Sequence, residues 1–458
     1  MTSETIEVLG PLSSTLPSVE RTAAIPGGFR AGGMACGIKA SGRPDLALIA
    51  AIDGPIPAAG IFTLNTLAAA PVRRSRANLA ATDPSGAGAF GWASAIVSTS
   101  GAANAATGPA GEADQAQIGS LVAEALEIHP SHVLHLSTGV IGTRLPLERV
   151  AAGVAALVPE LALDGEGFGA AATALRTTDS TRKVATVEIE LPGPSGGSVP
   201  VRVSGMAKGV GMIHPRMATM LAVLLTDAAA GPEQLAGILG RAGVTTWNQL
   251  SIDGDTSTND TVFLLASGAA GAAIPEPGSE AEATLEAAVV AVARDLARQQ
   301  AADGEGAGAL LTCQVSGAAN DAEARAVARV VISSSLVKAA AHGRDPNWGR
   351  IADAAGNARL ADAAVLAASG IPVAEAAERA GSPAHLDPDR LRIAIAGHLV
   401  FDGRAGGPVA FDRDAARASM AGSEILIRLD LGLGDGTGEA FGCDLTEEYV
   451  RENAEYTT

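Results

Sequence analysis

Short apolar runs bounded by Gly, Pro and Asp open the chain and predict buried strands. Residues 46–52 and 58–63 are two such runs, with the length and boundaries typical of strands that are covered on both faces. Residues 133–136 form a third run, which leads into Ser-Thr-Gly. Alternating apolar and polar residues in 184–191 and 199–203, joined by a segment rich in Pro and Gly, predict a β-hairpin.

Other segments repeat their apolar residues at the spacing of an amphipathic helix. Residues 115–128 do so until His129-Pro130 ends the pattern. Further helices are expected near 232–241, 282–299, 321–330 and 374–380. Residues 217–226 have β character, and 424–431 is expected to be the last strand. Strands interleaved with helices predict an α/β or α+β fold.

Two segments are expected to lie outside this core. Residues 1–25 are interpreted as a loosely held leader, and residues 361–390, rich in Ala, Pro and Gly, as an added excursion. The acidic N-terminus does not have the basic and apolar pattern of a secretory signal. The longest stretch without charged residues, 84–111, is mostly Gly, Ala, Ser and Thr, so we expect buried strand and turns there, not a membrane span.

Charge and cysteine content narrow the function further. The formal net charge of −18 and the 3% aromatic content argue against a nucleic-acid partner, because phosphate binding needs clustered Lys and Arg. Cys36, Cys313 and Cys443 are scattered, which predicts neither a disulfide framework nor a cysteine zinc site and fits a reducing compartment, the cytoplasm. We therefore expect no nucleic-acid and no membrane partner.

Two apparent motifs are better explained as coincidence. Residues 193–197 match GxSxG but lie at a predicted hairpin tip, whereas the catalytic pattern needs a turn from a strand into a helix. His129, His132 and His135 share a spacing of three, but Pro130 breaks the helix that would place them on one face. No metal site is predicted.

The segment 205–221 is the most informative of the chain. A Gly-rich loop bearing Lys208 leads through Ala218 and Thr219 into an apolar strand. From the pattern alone, a loop that enters a core strand, with Thr219 present for its β propensity, is the more common arrangement. A catalytic role is the alternative.

This segment resembles the self-cleavage site of the ornithine acetyltransferase family, the bifunctional glutamate N-acetyltransferases of arginine biosynthesis. The resemblance extends over nearly the whole chain, through motifs at 28–39, 59–65, 70–72, 137–142, 177–179, 253–260, 303–306, 345–350, 444–450 and 453–458. It implies an α/β layered sandwich of the type found in self-processing acetyltransferases and aminopeptidases, which resembles the N-terminal-nucleophile hydrolases.

The resemblance also implies a covalent mechanism. The bond between Ala218 and Thr219 breaks, leaving an α chain of residues 1–218 and a β chain of residues 219–458 in an α₂β₂ heterotetramer. Thr219 then has a free α-amine, with a reference pKa of about 7.7–8.0, beside its own hydroxyl nucleophile. Acetyl passes from N-acetylornithine to Thr219 and then to glutamate. The cycle needs no metal or other cofactor, although some members accept acetyl-CoA.

The site residues implied by the resemblance come from both chains. The oxyanion hole is expected at Thr138 and Gly139, where a glycine lets a backbone N–H approach closely. The substrate-binding residues are expected to be Thr177, Lys208, Thr219, Glu305, Asn453 and Thr458. Lys208 suits a substrate carboxylate and Glu305 an ammonium, and Thr178 is an alternative to Thr177.

The chain departs from the family pattern at several positions, which we expect to alter the edge of the pocket: Thr99, Ala106, Arg176, His214, Arg216, Gly308 and Ala309. Ala309, in place of a Lys, removes a positive charge. Three alternatives follow from the residues. They are a paralogue with another acyl donor or amine acceptor, an N-terminal-nucleophile amidohydrolase or aminopeptidase, and a non-catalytic member.

Overall fold

Strands and helices alternate along the chain in a mixed α/β fold, as predicted. The computed structural model describes Leu9, Leu12 and residues 15–214 and 220–455. In these residues the strands are β1 (Phe29–Met34), β2 (Leu46–Ala51), β3 (Ile56–Phe62), β4 (Phe90–Ala93), β5 (Ala95–Ala102), β6 (Val133–Val140), β7 (Lys183–Pro192), β8 (Ser198–Lys208), β9 (Leu221–Thr226), β10 (Leu250–Ser251), β11 (Thr261–Ala266), β12 (Leu310–Ala318), β13 (Arg392–Ile395), β14 (His398–Asp402), β15 (Gly407–Pro408), β16 (Glu424–Asp430) and β17 (Gly436–Cys443).

The helices of the same residues alternate with these strands. They are α1 (Ala70–Thr82), α2 (Gly108–Leu126), α3 (Leu147–Leu157), α4 (Gly165–Leu175), α5 (Pro232–Thr245), α6 (Glu280–Ala302), α7 (Asp321–Ser333), α8 (Ser335–His342), α9 (Trp348–Gly356), α10 (Ala363–Ala368), α11 (Val373–Arg379), α12 (Arg413–Ser419) and α13 (Glu447–Glu455). None of them combines the length and the apolar composition that a bilayer crossing needs.

The strands form three sheets. The first has four strands in the order β1-β2-β5-β6, the second six in the order β4-β3-β11-β9-β8-β7, and the third seven in the order β10-β17-β12-β16-β13-β14-β15. In the first two sheets, β5 runs parallel to β6 and β9 parallel to β11, while the other neighbours are antiparallel.

One large apolar core lies between the first two sheets. Leu134 of β6, Val223 of β9 and Phe168 of α4 pack there, together with α1. Helices α5 and α6 cover the other face of the second sheet, and α2 and α3 cover the other face of the first. Every residue of β9 is therefore buried, which explains its uninterrupted apolar sequence. The third sheet packs against α7, α8 and α9.

Residues 361–390 do form an excursion, and α7 holds it in place. Its helices α10 and α11 pack beside α7 through Leu366 and Ala376. The buried Glu323 of α7 accepts hydrogen bonds from Arg379, at 3.0 Å, and from the ring of His385, at 3.1 Å. The excursion is thus fastened to the core by charged contacts as well as by its apolar face.

The predicted β-hairpin is confirmed as β7 and β8, and its tip contains the GxSxG match in a turn closed by Gly193 N–H donating to Gly197 O at 3.1 Å. The leader prediction is wrong for its later residues. Glu20 pairs with Thr186 of β7, Arg21 binds Asp295 at 2.8 Å, and Ile25 is buried.

One helix boundary and one strand also differ from the predictions. Helix α2 begins at Gly108 instead of residue 115, because Pro109 favours the first helical turn although no large apolar residue marks it. Strand β17 follows the predicted last strand. Its glycines give no apolar pattern from which a strand could be predicted. Glycine is required at position 438, because a Cβ there would lie 2.6 Å from the backbone nitrogen of Arg325 in α7. Close packing of the helix on this strand requires glycine and removes the apolar pattern.

Candidate active site

A cavity of about 150 Å³ brings together most of the predicted site residues. They reach it from the end of β6, the loop after α4, the end of β8, the loop after α6 and helix α13. The predicted residues in its lining are Thr138, Gly139, Thr177, Lys208, Glu305 and Asn453. The predicted cleavage residues Ala218 and Thr219, and Thr458, lie outside the described residues.

The end of β6 approaches β5 so closely that Gly139 is required there. Gly139 has a φ of +130°, and a Cβ on it would lie 2.3 Å from the carbonyl carbon of Gly101. The side-chain amide of Asn259 donates to Ser137 O at 2.8 Å and to Ala103 O at 2.7 Å. These contacts fix the backbone on both sides of the predicted oxyanion hole.

Lys208 ends β8 and contacts the same segment. Its Nζ donates to Thr138 Oγ1 at 3.0 Å. Because the hydroxyl oxygen accepts from an ammonium, its own hydrogen is available to a further acceptor in the cavity. Burial lowers the pKa of Lys208, although the carboxylates of Asp179 and Asp260 favour its charged form. One wall of the cavity therefore carries a cation and a polarised hydroxyl.

Glu305 provides the opposite charge, and two neighbours hold its carboxylate by hydrogen bonds. Thr178 Oγ1 donates to Oε1 at 2.9 Å, and Asn453 Nδ2 donates to Oε2 at 3.0 Å. Gly211 leaves the space that this carboxylate needs, because a Cβ there would lie 2.3 Å from Oε2. Thr177 lines the cavity, and its backbone N–H donates to Asp179 Oδ2 at 3.2 Å.

A buried ion cluster joins the elements that carry these groups. Lys183, whose side chain is 0% exposed, donates to Asp179 Oδ1 at 2.7 Å and to Asp303 Oδ2 at 2.6 Å. Asp179 Oδ1 also accepts from Gly209 N–H at 2.8 Å. Burial by itself raises the pKa of Asp179, but Lys183 and Lys208 outweigh it and the pKa is lowered. The cluster therefore ties together the segments of Thr178, Lys208 and Glu305.

Sequence reasoning missed this cluster and a second anchoring group. Asp179 and Asp303 lie within the motifs that carry the family resemblance, but no role was predicted for either. Asp253 likewise lies in such a motif, and its Oδ1 accepts from Ile213 N–H at 2.8 Å while Oδ2 accepts from Met212 N–H. Their place in motifs near the predicted site was the available signal.

The sequence predicted that the departures from the family pattern alter the edge of the pocket. This prediction is wrong for five of the described residues. Thr99 lies beneath the site, with its hydroxyl 2.7 Å from that of Ser137. Arg176 braces the loop after α4 through backbone carbonyls, and the backbone N–H of Ala309 donates to Asp444. Ala106 and Gly308, like these three residues, are absent from the cavity lining.

The other two departures have different positions. His214 lines a separate cavity, and Arg216 is outside the described residues. In the part of the chain that the structure describes, no group of three or more His, Cys, Asp or Glu side chains is arranged to hold a metal ion. The described cavity is thus built of amino-acid side chains with one cationic and one anionic wall.

Comparison with known proteins identifies similar chains over almost the full length. The model of the ArgJ family matches residues 30–458. The arginine biosynthesis bifunctional protein ArgJ of Thermosynechococcus vestitus is 45% identical over 435 residues, covering 94% of this chain and 96% of that protein. The protein of the same name from Thermus thermophilus is 42% identical over 441 residues, covering 95% and 99%.

Two solved structures are also similar. Arginine biosynthesis bifunctional protein ArgJ from Bacillus halodurans is 35% identical, with a TM-score of 0.42 and coverage of 50% of this chain and 96% of that chain. Ornithine acetyltransferase complexed with ornithine, from Mycobacterium tuberculosis, is 39% identical, with a TM-score of 0.39 and coverage of 44% and 99%.

Proposed function

The chain belongs to the ArgJ family, and we propose that it transfers an acetyl group from N-acetylornithine to glutamate, giving ornithine and N-acetylglutamate. The observation that carries this proposal is the pairing of Lys208 and Glu305 across one small cavity. An amino-acid substrate presents a carboxylate and an ammonium, and the two side chains offer the complementary charges. Thr177, Asn453 and Thr458 add hydrogen-bonding groups.

We propose that Thr219 is the nucleophile and that the chain cleaves itself between Ala218 and Thr219. The start of β9 supports this assignment, because Leu221, two residues after Thr219, pairs with Lys208 in the sheet. The strand that follows the nucleophile therefore begins beside a residue of the cavity. Cleavage yields residues 1–218 and 219–458, which remain together in an α₂β₂ heterotetramer in the cytoplasm.

The transfer proceeds in two halves. The neutral α-amine of Thr219 removes the proton from its own hydroxyl, and the oxygen attacks the acetyl carbonyl of N-acetylornithine. Backbone N–H groups at Thr138 and Gly139 stabilise the resulting oxyanion, and losing one such donor costs about 2.7–4 kcal/mol of barrier stabilisation. The C–N bond breaks as the ammonium returns its proton to the departing amine of ornithine, leaving acetyl-Thr219.

Glutamate completes the cycle by the reverse chemistry. Its amine attacks the acetyl ester, the same donors stabilise the second oxyanion, and the Thr219 oxygen leaves and regains a proton. The product is N-acetylglutamate, and no metal or other cofactor takes part. Acetyl-CoA is a possible second acetyl donor in this proposal, since its thioester can form the same acetyl-threonine.

Mass spectrometry of the denatured protein, combined with an acetyl-exchange assay, tests the proposal. We expect two fragments, the second beginning at Thr219, and glutamate-dependent release of ornithine. Thr219→Ala should stay a single chain without transfer, whereas Thr245→Ala, which alters a threonine of α5, should behave as wild type. If the wild-type chain is unbroken and transfers acetyl at full rate, the assignment of Thr219 as the nucleophile is wrong. Release of acetate that does not depend on glutamate indicates an amidohydrolase.

A further inference from the structure

A second and larger cavity, of about 700 Å³, is lined by residues of α5, α7 and the excursion helix α10, and by the two residues that follow α11. Among the residues that the structure describes, none lines both this cavity and the candidate active site. Its volume falls within the range of about 300–1,000 Å³ that is typical of small-molecule sites. None of the chemistry proposed above uses it.

The charged side chains of this cavity are mostly cationic. Arg325 and Arg329 project from successive turns of α7, and Arg359 lies two residues before the excursion. Asp362 is the single carboxylate among the lining residues that the structure describes. Its Oδ1 accepts from Val365 N–H at 3.1 Å and thereby caps α10, so it is engaged within its own helix.

A bound anion would supply hydrogen-bond acceptors for the guanidinium of Arg325. Its guanidinium is partly buried, and among the described residues it makes neither a hydrogen bond nor an ion pair. Burial lowers its pKa, and the charge of Asp321 only partly opposes this effect. A desolvated guanidinium without acceptors is costly, and its planar set of N–H donors matches a carboxylate or a phosphate.

We propose that this cavity binds a small organic anion whose carboxylate or phosphate oxygens accept hydrogen bonds from Arg325. The walls of the cavity are held in place by specific contacts. Glu323 binds Arg379 and His385, and these contacts hold the excursion that forms the outer wall. Arg329 and Arg359 add positive charge around the anion, and the apolar Val330 and Leu366 surround the rest of the ligand.

The cavity also lies next to the segment that borders the active site. His214 lines the anion cavity, and Met212, two residues earlier, lines the active-site cavity. Ile213, between them, is held by Asp253 and pairs with Thr256. The two sites are therefore separated by a single short segment of backbone.

Isothermal titration of the full-length protein at constant ionic strength tests the proposal, with inorganic phosphate and succinate as separate probes. We expect at least one probe to bind, and the stronger one to identify the anionic group. Arg325→Leu should weaken this binding about tenfold or more, the scale of a lost charged hydrogen bond. Arg325→Lys, which keeps the charge but not the planar donor set, should give an intermediate value.

Two controls locate the binding. Arg417→Leu removes an exposed arginine of α12 that does not line the cavity, and it should bind the probe as wild type does. Lys208→Met removes the cation of the active-site cavity and should also leave the affinity unchanged. The proposal is overturned if wild type binds neither probe, if Arg325→Leu and Arg325→Lys bind like wild type, or if Lys208→Met abolishes the binding.

Discussion

Thr178 Oγ1 lies 2.9 Å from Glu305 Oε1 and donates a hydrogen bond to it. The adjacent Thr177, which the family resemblance favoured as the substrate-binding residue, donates its backbone N–H to Asp179 instead. Both threonines line the cavity, but they act on different parts of it. Thr178 contacts the carboxylate of Glu305, whereas Thr177 contacts that of Asp179.

Replacing Thr178 by valine is expected to loosen Glu305 and weaken binding of the substrate ammonium. The change removes one hydrogen bond to a partly exposed carboxylate, worth about 1 kcal/mol, which corresponds to a KM about fivefold higher. Steady-state kinetics with N-acetylornithine measure this effect. Thr178→Ser keeps the hydroxyl and should restore the wild-type KM, and a valine variant with an unchanged KM would contradict the role given to Thr178.

Replacing Lys183 by methionine is expected to destabilise the fold by about 3–5 kcal/mol, because the buried carboxylate of Asp179 and the partly buried carboxylate of Asp303 lose their shared cation. Chemical denaturation measures the change. Arg241→Met provides the control, since it breaks a surface pair with Glu286 whose side chains are 43% and 26% exposed, and it should cost no more than about 1 kcal/mol. Equal losses for both variants would argue against a structural role of the cluster.

The same cluster shows what one sequence can and cannot predict about the site. Lys208 and Glu305 were predicted because each lies in a motif that resembles the family. Lys183 lies in a strand after such a motif, and its partners are separated from each other by more than one hundred residues. Only the fold brings Asp303 to Lys183, so the motifs mark Asp179 and Asp303 as candidates but do not show that the two share one cation.

Prediction of the fold had a related limit. The uninterrupted apolar sequence of β9 and the alternation of β7 and β8 allowed those strands to be predicted. Strand β17 was not predicted, because close packing against α7 requires small residues and small residues carry little hydrophobic pattern. Where close packing requires small residues, the chain therefore lacks the periodic apolar pattern from which a strand can be predicted.

Replacing Gly211 by alanine is expected to impair substrate binding with little loss of stability. The added Cβ would lie 2.3 Å from Glu305 Oε2, and relief of the contact requires the carboxylate to leave Thr178 and Asn453. We expect the KM for N-acetylornithine to rise about tenfold, the cost of about 1.4 kcal/mol of lost binding. Gly240→Ala, at a helix position with open space around it, should leave KM unchanged.

Unfolding free energies of the Gly211→Ala and Gly240→Ala proteins separate a local displacement from a general defect. The Gly211 variant should remain within about 1 kcal/mol of wild type, because the end of a glutamate side chain is the group that moves. A normal KM in this variant would mean that Glu305 shifts without consequence for the substrate.

The buried His135 is expected to make the stability of the protein depend on pH. Burial, with a smaller contribution from Arg74, lowers its pKa from 6.5 to about 3. Between these values the unfolded chain binds a proton that the folded chain does not, so the contribution is complete above pH 6.5 and is lost as the pH falls towards 3. At pH 4.5 the loss is about 3 kcal/mol relative to pH 7.

Urea denaturation from pH 7 to pH 4.5 measures this dependence. His135→Gln keeps a polar group that can bind Gln115, whose Nε2 lies 2.9 Å from His135 Nδ1, and it cannot titrate. Its unfolding free energy should therefore fall less steeply with acid than that of wild type, and the difference between the two curves isolates His135 from the carboxylates. His129→Gln replaces an exposed histidine and serves as the control. Parallel curves for wild type and His135→Gln would show that His135 is protonated in the folded protein, beside the strand end that carries Thr138.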